Sequence, residues 1–113
     1  MLNKDLTFNR YQEKVDQWIN TTGVRYFDQL TNTALLMEEV GEFASIMART
    51  QGEQSFKAGE PKSELADEMA DVLFVLCCLA NQNNIKLEEA LLKNLEKKTS
   101  RDSERHKANK KLK

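Results

Sequence analysis

Apolar residues recur at helical intervals over most of the chain. Phe8, Tyr11, Val15, Trp18 and Ile19 fall on one face of a first helix, which Thr7 is placed to cap and which the turn-prone run Asn20-Thr21-Thr22-Gly23 ends. A second helix is predicted from about residue 31 to 50, with Leu36, Val40, Phe43 and Met47 forming an apolar stripe. A third begins after a Ser63 cap, with Glu64 and Asp67 in a first turn that favours negative charge, and ends at residues 81–84, Asn-Gln-Asn-Asn. A fourth runs from near Lys86 or Leu87 to about Ser100, with Leu87, Leu91 and Leu95 in register. From residue 72 to 80 the third helix is apolar nearly all round, which implies burial on more than one side, in a bundle or against another subunit.

Charge interrupts two of these stripes. In residues 35–46, LLMEEVGEFASI, the positions Leu35, Glu39, Glu42 and Ile46 share a face, so two carboxylates stand in a line that begins and ends apolar. Residues 64–79, ELADEMADVLFVLCCL, repeat the arrangement with Glu68, Asp71, Val75 and Cys78. Ionised carboxylates facing a core must be paired, protonated or bound to a metal, and no basic residue interleaves with them in either stretch. Oxygen-only donors suit hard cations, Mg²⁺ first and Mn²⁺ second, and Mg²⁺ commonly completes its shell with water and substrate phosphates. If the two helices pack antiparallel, Glu39 and Glu42 face Glu68 and Asp71 in a four-carboxylate cage. Glu38 stands at its edge, placed to orient or deprotonate a water.

Glu38-Glu39-Val40-Gly41-Glu42 followed by Glu68-Met69-Ala70-Asp71 resembles the E-E-x-x-E … E-x-x-D signature of the MazG-like all-α nucleoside triphosphate pyrophosphohydrolases. The resemblance covers roughly residues 26–101 and is closest to the short single-domain branch. It implies a Mg²⁺-dependent hydrolase in which water attacks the α-phosphorus of a (d)NTP, giving (d)NMP and pyrophosphate; spacing alone does not choose between the α and γ positions. It also implies that Lys97 and Arg101 face the phosphates. Asn94, Lys97 and Arg101 do align at i, i+3, i+7, as an amide, an ammonium and a guanidinium suited to phosphate oxygens. The amino-terminal helix in similar proteins helps wall the pocket, so Trp18, Tyr26 and Phe27 are candidate base contacts, although Trp18 fits the packing stripe equally well.

Composition narrows the alternatives. The chain has 113 residues, 31% of them charged and nearly balanced at net −1, which argues against general nucleic-acid binding. With four Gly and one Pro, long helices are favoured over an all-β fold. The expected class is therefore all-α: one MazG-type, four-helix-bundle-like domain over residues 1–100, completed as a homodimer or homotetramer, with a basic flexible tail at 101–113. No stretch approaches the ~20 apolar residues of a membrane span, and a cytoplasmic location is expected. Adjacent Cys77 and Cys78 read as small buried hydrophobes. Residues 51–62 are longer than a helical hairpin needs and read either as a lid or as a connector anchored by Phe56. A di-iron bundle lacks its Glu-x-x-His pairs, and no P-loop or Ser-His-Asp set is present. The non-enzymatic alternative is a helical module that binds nucleotide or metal without turnover, or that only dimerises.

Overall fold

The computed structural model describes residues 5–60 and 64–113. Four helices follow one another, α1 (Phe8–Thr21), α2 (Gln29–Thr50), α3 (Leu65–Gln82) and α4 (Leu87–Lys107), then a 3₁₀ turn at Lys110–Leu112. No strand occurs among the described residues, so the fold is all-α as expected.

Local chemistry explains the helix ends. Thr7 accepts from the Arg10 amide at 3.1 Å to start α1. Asp28 accepts from the Thr31 amide at 2.7 Å, so α2 opens at Gln29, two residues ahead of the sequence expectation. These amides hold the Asp28 carboxyl below its ordinary pKa. The expected Ser63 cap, with Lys62, lies outside the described residues; Glu64 occupies the cap position of α3 without a side-chain cap bond. At the α3–α4 turn Asn84 adopts φ 55°, a left-handed conformation that lets the Ile85 amide return to the Ala80 carbonyl at 2.9 Å.

α4 departs from the sequence reading, which has a frayed tail from Arg101. The helix continues to Lys107 because Asp102 is clamped by Arg101 at 2.8 Å and by Arg105 at 3.1 Å. A carboxylate bound by flanking guanidiniums on its own helix gains what a solvated tail lacks.

α2 and α3 pack as an antiparallel hairpin: Asn32 meets Gln82 at one end, and Glu39 and Glu42 meet Asp71 and Glu68 farther along. α1 crosses α3, with Val15 and Ile19 packed on Cys77 and Cys78. Trp18 stands edge-on to Phe74, centroids 5.6 Å apart. Both cysteines are free and buried, and burial raises the thiols, Cys78 to about 11. They are unreactive core residues, as their apolar context predicts.

Gln12, 6% exposed, ties three elements together. Its amide nitrogen donates to Asn81 Oδ1 at 3.0 Å and to the Ile85 carbonyl at 2.8 Å, and its oxygen accepts from the Leu87 amide at 2.7 Å. The last bond occupies one of the orphan amides at the start of α4. Gln12→Leu keeps the volume but strands these partners, so it should cost about 2–3 kcal/mol and lower Tm by about 10 °C. A circular-dichroism melt checks this.

Candidate active site

Each acid on the α2–α3 seam follows from helical register. Glu39 and Glu42 are one turn apart on α2, Glu68 and Asp71 one turn apart on α3, and antiparallel packing sets the pairs face to face. One carboxylate oxygen from each of the four lies within 4.8 Å of the others. Glu68 is buried, Glu39 and Asp71 partly so, and Glu42 opens to solvent. Ile46, one turn beyond Glu42, and Val75, one turn beyond Asp71, are buried and flank the cluster along the seam at its two ends.

No lysine or arginine among the described residues pairs with these acids. Glu39 Oε2 and Glu68 Oε2 are buried without a hydrogen-bond partner. Burial first, then the facing carboxylates of Glu42, Asp71 and Glu68, push Glu39 up to about 7. Burial, with Asp67 and Glu68, raises Asp71 as well. Orphaned, mutually repelling oxygens at this spacing fit a hard divalent cation: Mg²⁺ or Mn²⁺ bonds of about 2.1 Å draw donors together to about 3–4 Å, a small contraction of the observed group.

The other expected site residues are distributed differently. Glu38 is exposed and outside the four-oxygen group. Asn94, Lys97 and Arg101 lie on the exposed run 89–101 of α4, whose packing partner is α1, so the chain does not bring them to its own acids. The Arg101 guanidinium donates to both oxygens of Asp102. Of the aromatic candidates, Trp18 packs on Phe74, one turn beyond Asp71. The Tyr26 hydroxyl donates to Asp16 at 2.6 Å and accepts from Asn81 at 3.0 Å; burial and the Asp16 bond push its pKa well above the usual phenol value. Phe27 is 57% exposed, and its carbonyl accepts from Gln82. Tyr26 and Phe27 thus serve the amide lock near residues 81–82, about 15 Å along α3 from Asp71.

That lock went unrecognised in the sequence. Asn32, 4% exposed, donates to Gln82 Oε1 at 2.9 Å inside the seam that carries the acids. The signal was its seven-residue spacing from Glu39 and of Glu39 from Ile46, which puts an amide on the same stripe. At the opposite end of the seam the 51–60 segment folds onto α2: Arg49 pairs with Glu60 at 2.8 Å and stands 6.0 Å from the Phe56 ring centroid. The Phe56 anchor is therefore present.

The model of the MazG nucleotide pyrophosphohydrolase domain matches residues 27–106. The chain belongs to the MazG family. Its curated relative YpjD of Bacillus subtilis is 41% identical over 101 residues, covering 89% of this chain and 91% of that one. The crystal structure of Bacillus subtilis YpjD, described as a candidate pyrophosphatase, aligns with TM-score 0.77 at 39% identity, over 88% of this chain and all of that one. A Bacillus-conserved MazG protein described as a nucleotide pyrophosphohydrolase aligns with TM-score 0.71 at 31% identity, over 90% of this chain and 99% of that one. The MazG match runs through the added turns of α4 to residue 106.

The shifted Glu39 makes the metal-free MazG domain sensitive to pH. Its carboxyl ordinarily titrates at 4.5 and in the folded chain at about 7, so the folded state binds the extra proton between those values. The stability this contributes is fully present below 4.5 and lost as pH rises through about 7. In chelator, the melting temperature of the wild type relative to Glu39→Gln should fall from pH 5 to 8. Millimolar Mn²⁺ at pH 8 should restore it; equal melting of the two proteins across that range would contradict the assignment.

Proposed function

We propose that this MazG domain is a divalent-metal-dependent nucleotide pyrophosphohydrolase that converts a (d)NTP to (d)NMP and pyrophosphate. The observation that carries the reading is the convergence on one seam of four carboxylates, none of them ion-paired among the described residues and two with a buried oxygen lacking a donor; the family and the pyrophosphohydrolase description of a relative support it. Glu39, Glu42, Glu68 and Asp71 hold the metal, with Mg²⁺ the physiological choice and Mn²⁺ a substitute. When bound, the metal supplies charge neutralisation for the polyphosphate and the leaving pyrophosphate.

The protein's own groups do the rest. Ile46 and Val75, buried at the two ends of the cluster, keep bulk water from its flanks and strengthen the electrostatic contacts there. Glu39, held near neutrality, loses its proton as the site loads, so loading is coupled to proton release. Glu38, at the solvent edge and i, i+4 from Glu42, orients the attacking water and accepts its proton together with Glu39. The water oxygen bonds to the α-phosphorus, the bond from that phosphorus to the bridging oxygen breaks, and pyrophosphate leaves with the electron pair. Asn94, Lys97 and Arg101 bind the phosphate chain. Trp18, packed edge-on to Phe74 one turn beyond Asp71, is a candidate base contact, with Tyr26 and Phe27. No helix among the described residues is long and apolar enough to cross a membrane, and the enzyme is placed in the cytoplasm, working as a homo-oligomer on the free nucleotide pool.

Glu39→Gln and Asp71→Asn each remove a ligating charge with little change of shape. Both should cut pyrophosphate release from a panel of (d)NTPs by about a thousandfold while circular dichroism shows unchanged helicity. Wild-type protein that binds Mn²⁺ and nucleotide yet releases no pyrophosphate would instead be a binding module.

A further inference from the structure

The net charge of −1 conceals a division along the chain. Residues 1–104 carry twelve cations and eighteen carboxylates, whereas residues 105–113, RHKANKKLK, carry five cations and no carboxylate. The overall balance argues against nucleic-acid binding spread across the surface; it does not bear on a local basic arm, because a polyanion meets the local field rather than the total.

The arm is ordered. After α4 ends at Lys107, the Ala108 amide bonds the Glu104 carbonyl at 3.0 Å and the Asn109 side chain accepts from the Lys111 amide at 3.0 Å. These bonds shape the 3₁₀ turn at Lys110–Leu112, and all five cations of the arm are exposed. Helix electrostatics account for only some of them. Arg105 pairs with Asp102 at 3.1 Å and Lys107 approaches Glu104 at 3.9 Å, and both stand in the last turn of α4, where cations complement the helix dipole. Lys110, Lys111 and Lys113 lie past the Ala108 cap, and no ion pair among the described residues engages them. The family match does not reach them either, since it stops at residue 106.

Residue type selects among polyanions. No Phe, Tyr or Trp follows Phe74, so the arm offers no platform on which an unpaired base stacks. Leu112 is its one large apolar side chain, too little for a membrane interface, which takes the apolar face of a whole helix. Lysines are point charges without the fork that reads a guanine edge. Residues three apart eclipse in a 3₁₀ turn, which sets Lys110 and Lys113 on one side about 6 Å apart along its axis. That is close to two phosphate steps of a duplex strand, at about 3.4 Å each. Unpaired lysines on a short ordered turn therefore suit a sugar-phosphate backbone, bound without regard to sequence.

We propose that residues 105–113 are a nucleic-acid-binding arm that attaches the MazG domain to the phosphate backbone of a duplex, RNA or DNA, through Lys110, Lys111 and Lys113, with Arg105 and Lys107 in support. The attachment uses none of the seam carboxylates and none of the α4 groups assigned to substrate phosphates.

Fluorescence anisotropy on the full chain, with short fluorescein-labelled RNA and DNA duplexes, tests this. With five cations engaged, log affinity against log salt should slope at about −4.5, a loss of about 500-fold from about 50 to 200 mM NaCl. The triple variant Lys110→Gln/Lys111→Gln/Lys113→Gln should flatten the slope to about −2, with helicity and pyrophosphate release unchanged. Binding to either duplex upholds the arm, and the tighter of the two identifies its source. Failure to bind both, an affinity insensitive to salt, or a triple variant that binds as well as the wild type overturns the proposal. Tighter binding to phosphatidylserine vesicles or to a single-stranded homopolymer than to either duplex overturns it too. Duplex binding by a wild type that releases no pyrophosphate would uphold the arm and count only against the enzymatic reading.

Discussion

Like charge held at a helix seam is the constraint on which this structure turns. Four carboxylates at mutual distances below 5 Å repel one another, and the repulsion is worst where water is least able to screen it. Two carboxylate oxygens have lost water without finding a donor, an arrangement costly enough that an apolar residue would stabilise the apo fold better at the same positions. The chain keeps the acids and surrounds them with residues that make the problem harder. The buried Ile46 and Val75 flank them, and the Asn32–Gln82 hydrogen bond ties the two helices together at one end of the seam. A cation bound between the four acids would relieve that repulsion, which is why the seam is the candidate site.

The rest of the fold is arranged to hold the seam at fixed register. The amide lock pins one end of the hairpin, and the Arg49–Glu60 pair folds the connecting segment over the other. α1 braces α3 from behind through Val15, Ile19 and the Gln12 bonds. Because side-chain direction is set by helical phase, a slip of one residue between α2 and α3 would turn Glu39 out of the group. Directional hydrogen bonds at the ends of the seam resist that slip better than apolar packing alone, which tolerates rearrangement at similar volume.

Much of this was legible in the chain. The apolar stripes placed four helices, three of them to within a few residues at both ends, and two acids at i, i+3 on each of two stripes were expected to meet if those helices packed antiparallel, as they do. What escaped the sequence depended on pairings between distant residues. Asn32 and Gln12 look like surface amides until the turn at residues 83–86 brings partners to them. Tyr26 and Phe27 read as base contacts because aromatic residues ahead of an acid-bearing helix are chemically apt; what the sequence did not show is that the Tyr26 hydroxyl binds Asp16 and Asn81 and that the Phe27 carbonyl accepts from Gln82. The tail from Arg101 looked frayed because it lacks apolar periodicity. Its helix is sustained by ion pairs around Asp102, a pattern that hydrophobic spacing does not register.

The extra length of α4 changes what the cationic row can do. Arg101 on a frayed end would engage an anion only by ordering the chain first, at a conformational cost of about 1–2 kcal/mol per residue. With Asp102 clamped between Arg101 and Arg105, the helix runs unbroken past the row and holds its groups at fixed spacing. Engagement of Asp102 also leaves Arg101 oriented rather than sweeping through solvent.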